Sequence, residues 1–204
     1  MLQIETKSTE QLNPILNFKN ITIHAVDGEK ALQLLKIEEE FLNNCSLFDF
    51  QTMLKTEKKV TKEDYFEHIA KHILNWDENK NFLSQLTTQV SKVNDLFEGY
   101  NLKFPSPIYV ILTNGKDLAG AAYCKGQDVI VLPQNFYLTD EKLFKTFIHE
   151  SFHILSKNNL EIRDKLYKII GFIKTKKEVK LPEQLIRITN PGITILIIIL
   201  FLNV

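Results

Sequence analysis

The sequence predicts an α+β fold, and three observations carry that prediction. Amphipathic helical patterns fill most of the first hundred residues. A block of β-branched and aromatic runs punctuated by Pro, Asn and Gly begins near Pro105. A second helical region follows that block directly. Length and composition agree with one domain: 204 residues, 44% apolar and 25% charged, with fourteen phenylalanines to fill a core.

Residues 29–43, "EKALQLLKIEEEFLN", place Ala31, Leu34, Leu35 and Phe41 among acids and lysines at helical spacings. Residues 62–75, "KEDYFEHIAKHILN", align Tyr65, Phe66, Ile69 and Ile73 near one stripe, and residues 80–98 do the same with Phe82, Leu86, Val90 and Val93. Residues 1–104 therefore form a mostly helical half. The character then changes. "IYVIL" is a strand ended by the turn pair Asn114-Gly115, and "AGAAYC" and "DVIVLP" read as two short strands joined through Lys125-Gly126-Gln127. Residues 105–190 thus hold a short mixed or antiparallel sheet with its following helices. Residues 191–204 are an apolar tail. Its run "ITILIIILFL" is about half of the ~20 residues a membrane span needs, and its composition breaks from everything before it, as a shifted reading frame would.

Charge and cysteine content narrow the function. Twenty-five acidic and twenty-five basic residues cancel, so no global field recruits nucleic acid or an anionic membrane. Cys45 and Cys124 are far apart and outside any CxxC pattern, which indicates neither a disulfide framework nor a cysteine zinc site. The N-terminal stretch lacks a basic region followed by an apolar core, so the cytoplasm is the default location; a secreted form that had shed its leader would read the same. No glycine-rich phosphate loop and no GxSxG elbow occurs.

The informative stretch is "FIHESFHI", Phe147 to Ile154. A helix over residues 141–156, capped by Thr139 or Asp140, turns Phe144, Phe147, Ile148, Ile154 and Leu155 into an apolar back. His149 and His153 fall about 40° apart on the other side, with Glu150 on the flank between them and the apolar edge. Imidazoles at i and i+4 lie over one turn and converge well enough to bind a single zinc ion. Glu150 can then reach a water on the metal and take its proton without being a ligand itself. The bland alternative is a pair of structural histidines on a core helix.

"HESFH", preceded by a hairpin ending in "VIVLP", resembles the zincin superfamily of zinc metallopeptidases. The likeness covers roughly residues 105–170, and only the five-residue motif is specific. It implies a zincin-like domain with one zinc per chain, His149 and His153 as ligands, Glu150 as catalytic base, and a peptide or protein substrate. It also implies that "DVIVLP" or "AGAAYC" forms the substrate-facing edge. The third protein ligand implied by the resemblance is not an imidazole, because Ser156 and Asn159 stand where the metzincin pattern has glycine and histidine. Among carboxylates Glu161 is the first choice, with Asn158-Asn159 breaking one helix and starting another just before it, and Glu178 is the alternative, closer to the longer gluzincin-like spacing. Asp164 and Tyr167 follow as further candidates. Glu161 reads equally as an acid favouring the helix dipole.

Tyr123, Tyr137 and Tyr167 are candidates for steadying an oxyanion. A second i, i+4 pair, His68 and His72, has its acid Glu67 on the wrong side of the motif and reads as a solvated helix face. The competing functional class is a non-catalytic zincin-like binding or regulatory protein. A membrane-attached, toxin-like protein would rest on the apolar tail alone.

Overall fold

A computed structural model describes residues 13–18, 21–37, 40–43, 45–134, 139–169 and 171–172. The apolar tail, Glu178 and Tyr137 lie outside these residues. Among the described residues five strands form one mixed sheet: β1 (Asn13–Phe18), β2 (Ile21–Val26), β3 (Ile108–Thr113), β4 (Tyr123–Lys125) and β5 (Val129–Pro133). Their order is β1-β2-β3-β5-β4. β2, β3 and β5 run parallel, while β1 and β4 are antiparallel to their neighbours. Seven α-helices accompany them among the described residues: α1 (Gly28–Lys36), α2 (Glu40–Asn43), α3 (Leu47–Met53), α4 (Lys62–Ala70), α5 (Lys80–Phe97), α6 (Asp140–Asn158) and α7 (Leu160–Ile169).

β3 and β5 are apolar along almost their whole length because helices cover both faces of the sheet. On β3, Ile108, Val110 and Leu112 point into one core with Phe82, Leu86, Val90 and Val93 of α5 and Leu143, Phe147 and Ile154 of α6. Ile111 points the other way, into a second core with Leu34 and Leu35 of α1, Phe50 and Met53 of α3, and Tyr65 and Ile69 of α4. β5 alternates likewise, Ile130 and Leu132 against Val129 and Val131. The layers are helix, sheet, helix. Phe147, 1% exposed, is the largest side chain of α6 inside the first core, and truncating it to Ala would cost about 3–5 kcal/mol.

The α+β class expected from the sequence is therefore present, with a mixed sheet. Three expectations need correction. β1 and β2 fall in the N-terminal half, which holds helices and two strands rather than helices alone. The helical stretch 29–43 divides at Ile37, whose backbone turns extended (φ −54, ψ 121). The stretch 62–75 stops at Ala70, because Leu74 donates its N–H to the Leu112 carbonyl (2.9 Å) and Ile73 bridges Thr113. In both places main-chain geometry and pairing override a helical pattern.

No helix among the described residues is long and apolar enough to cross a membrane.

Candidate functional site

α6 is built to hold its motif in register. Thr139 takes the N-cap position and its side chain accepts from Lys142 N–H, while Asp140 and Glu141 sit in the positively polarised first turn. At the far end two asparagines close the last turn. Asn158 Nδ2 donates to the Ile154 carbonyl (2.9 Å) and Asn159 Nδ2 to the Leu155 carbonyl (2.8 Å). The same amides reach outside the helix, to Gln127 O (2.7 Å) and Lys103 O (2.6 Å). Asn159 also accepts from Arg163 N–H (2.8 Å), so one residue ends α6 and begins α7. The break expected at Asn158-Asn159 is there.

His149 and His153 meet on the outer side of α6. Their Nε2 atoms are 3.0 Å apart and their rings stand at 81° with centroids separated by 4.6 Å. His149 is exposed and His153 half-buried. Burial, reinforced by His149 and Lys157, pushes the His153 imidazole down to about 4, so it is neutral at pH 7. A metal ligand must be neutral. Two imidazole nitrogens each about 2.0–2.1 Å from a tetrahedral zinc stand about 3.3 Å apart. The pair is thus already close to the spacing one shared ion demands.

Glu150 lies on the buried face of the helix, at 4% exposure, rather than on an open flank. Burial raises its carboxyl above the usual range, opposed by a hydrogen bond from Cys124 and by His149 and Lys157. Cys124 Sγ donates to Glu150 Oε2 (3.1 Å) and lies 3.2 Å from the Glu150 carbonyl. That thiol belongs to β4, which comes last in the order of the described strands. β5 pairs with both β3 and β4, so "DVIVLP" is interior, and of the other candidate only Tyr123–Lys125 lie in a strand.

The remaining candidates separate. Glu161 is exposed in the first turn of α7. Among the described residues no group of three or more His, Cys, Asp or Glu gathers closely enough to share an ion, so Glu161 does not join the two histidines in this conformation. Asp164 instead accepts from Arg163 Nε (3.2 Å). Tyr123 is on the wrong side of the sheet for an oxyanion: its hydroxyl donates to Asp117 Oδ2 (3.0 Å) within the second core, and Asp117 also accepts from Thr113 (2.6 Å). Tyr167 packs its ring, tilted, against Phe152, whose ring neighbours His153 (5.6 and 6.5 Å between centroids). The sequence reading missed Cys124 as the partner of Glu150; alternation along "AAYCK" shows that Tyr123 and Cys124 face opposite ways, but which face meets α6 depends on the hairpin.

Compared with protein-family models, with curated proteins and with solved structures, the chain gives no match.

Proposed function

We propose that this chain is a zincin-like, zinc-dependent peptidase. The observation that carries the reading is the paired Nε2 atoms of His149 and His153 with Glu150 buried one residue along. His149 and His153 would hold the ion, and a carboxylate would complete the protein ligands, from Glu161 after a movement of α7 or from Glu178. Bound there, zinc would polarise a scissile carbonyl and bring the pKa of water toward about 7.

The chain's own groups do the rest. Glu150 accepts a proton as the water oxygen bonds to the peptide carbonyl carbon, and returns it to the departing amine nitrogen as the C–N bond breaks. Its raised basicity, caused by burial, suits a group that must both take and give a proton. The neutral His153 keeps its lone pair for the metal. The substrate class is a peptide or a protein.

One observation favours a second reading. Only two donors converge among the described residues, which suits a non-catalytic zincin-like binding or regulatory module. Elemental analysis and a Glu150→Gln variant separate the two. The peptidase reading expects about one zinc per chain, lost in His149→Ala, and hydrolysis that Glu150→Gln abolishes with the zinc retained. Undiminished hydrolysis in Glu150→Gln would remove the assigned base. Comparing zinc affinity in Glu161→Ala and Glu178→Ala identifies the third donor.

A further inference from the structure

The Glu150 carboxylate is nearly excluded from solvent, yet among the described residues it has a single hydrogen-bond donor, the Cys124 thiol. Oε1 accepts no hydrogen bond there, while Oε2 is held. A buried carboxylate normally gathers several donors. Here the helix offers none, and the one that exists comes from across the layer, from the middle residue of a three-residue strand.

We propose that Cys124 is a positioning residue for the base: its thiol fixes Oε2 and thereby leaves Oε1 presented to the attacking water. The inference rests on the peptidase reading of His149, Glu150 and His153. It stands on geometry that fits the role. Cys124 pairs with Ile130 in the β4–β5 ladder, so the sulfur's height above α6 is set by main-chain hydrogen bonds rather than by a flexible side chain. α6 in turn holds the hairpin turn, through Lys157 Nζ to Gly126 O (3.2 Å) and Asn158 Nδ2 to Gln127 O (2.7 Å). Donor and acceptor are therefore tied together at two further points. The thiol touches no substrate. It acts by removing the torsional freedom of the Glu150 carboxylate, and reaction rates are sensitive to such misplacement.

The test uses the zinc-loaded full chain and an internally quenched peptide selected from a library by the wild type. Cys124→Ala should lower kcat by roughly 10- to 100-fold, the worth of one hydrogen bond to a charged group, with KM and zinc content unchanged. Cys124→Ser, which keeps a donor, should recover most of the loss. A second readout needs neither metal nor turnover. In the metal-free protein one S–H stretching band should vanish in Cys124→Ala, and the same band should move to higher wavenumber in Glu150→Gln, because a neutral acceptor binds the thiol less strongly. Wild-type kcat in Cys124→Ala, a loss confined to KM, an unrescued serine variant, or a band indifferent to Glu150→Gln each overturns the assignment while leaving the peptidase reading intact. A zinc-loaded wild type that cleaves no library member overturns both.

Discussion

Two pairs of histidines stand four residues apart, His68 in α4 with His72 just past its end, and His149 with His153 within α6, with ring centroids 4.4 Å apart in the first pair and 4.6 Å in the second. Their surroundings differ. In the first pair, His68 Nε2 meets the Lys116 carbonyl (3.0 Å) and His72 Nδ1 meets the Asn114 amide (3.0 Å), both in the turn after β3. Facing a carbonyl, His68 Nε2 must carry the proton, and the His72 Nδ1 lone pair is taken by an N–H. On α6 the two Nε2 atoms face each other. The flanking acids differ too: Glu67 is exposed, and Glu150 is buried against a thiol. A four-residue spacing brings imidazoles together, and the neighbouring chain decides what each ring nitrogen meets: a carbonyl and an amide in the first pair, the other ring in the second.

Exchanging one pair's loss for the other's should break this contrast if it is false. His153→Ala is expected to have the largest effect, taking zinc from about one per chain to near zero and hydrolysis with it, whereas His68→Ala keeps its zinc; elemental analysis reads both. Next comes the acid. Glu150→Gln should reduce kcat about 10²- to 10⁴-fold with the metal in place, and Glu67→Gln should change neither.

A smaller effect concerns acidity. His153 has a folded pKa of about 4, below the ordinary 6.5, so the unfolded chain binds the extra proton first. Stability of the metal-free protein should be full above pH 6.5 and fall as pH drops toward 4, by on the order of 2 kcal/mol for this half-buried group. His72 is lowered by burial and His68 and adds in the same direction. Urea midpoints at pH 7 and 4.5 check this, with a shallower decline expected in His153→Gln. The smallest effect is His72→Ala, which releases one hydrogen bond to Asn114: about 1 kcal/mol, or 2–4 °C in Tm, without change in zinc content.

What the sequence discloses about the molecule is local in origin. α6 is legible almost to its ends, since Thr139 and Asn158-Asn159 are terminal signals within the helix's own neighbourhood, and "IYVIL" and "DVIVLP" announce strands buried on both faces. β1 and β2 escape notice because "NPILNF" and "ITIHAV" become strands by pairing, and the partner of Ile23 is Ile108, far along the chain. The same non-locality hides the Cys124–Glu150 bond and the retreat of Tyr123 to Asp117. The close approach of His149 and His153 follows from their spacing on one helix, whereas no periodicity connects Glu161 or Glu178 to α6.

Gly126, with φ +57, opens the turn between β4 and β5. Sliding β4 along β5 by a single position would interchange what its two sides display: a phenol would come to lie over the motif helix, and sulfur would be left facing Asp117. Accuracy at this hairpin is therefore a chemical matter as much as an architectural one. A longer or stiffer turn there would part the Cys124 thiol from the Glu150 carboxylate without altering any residue of α6.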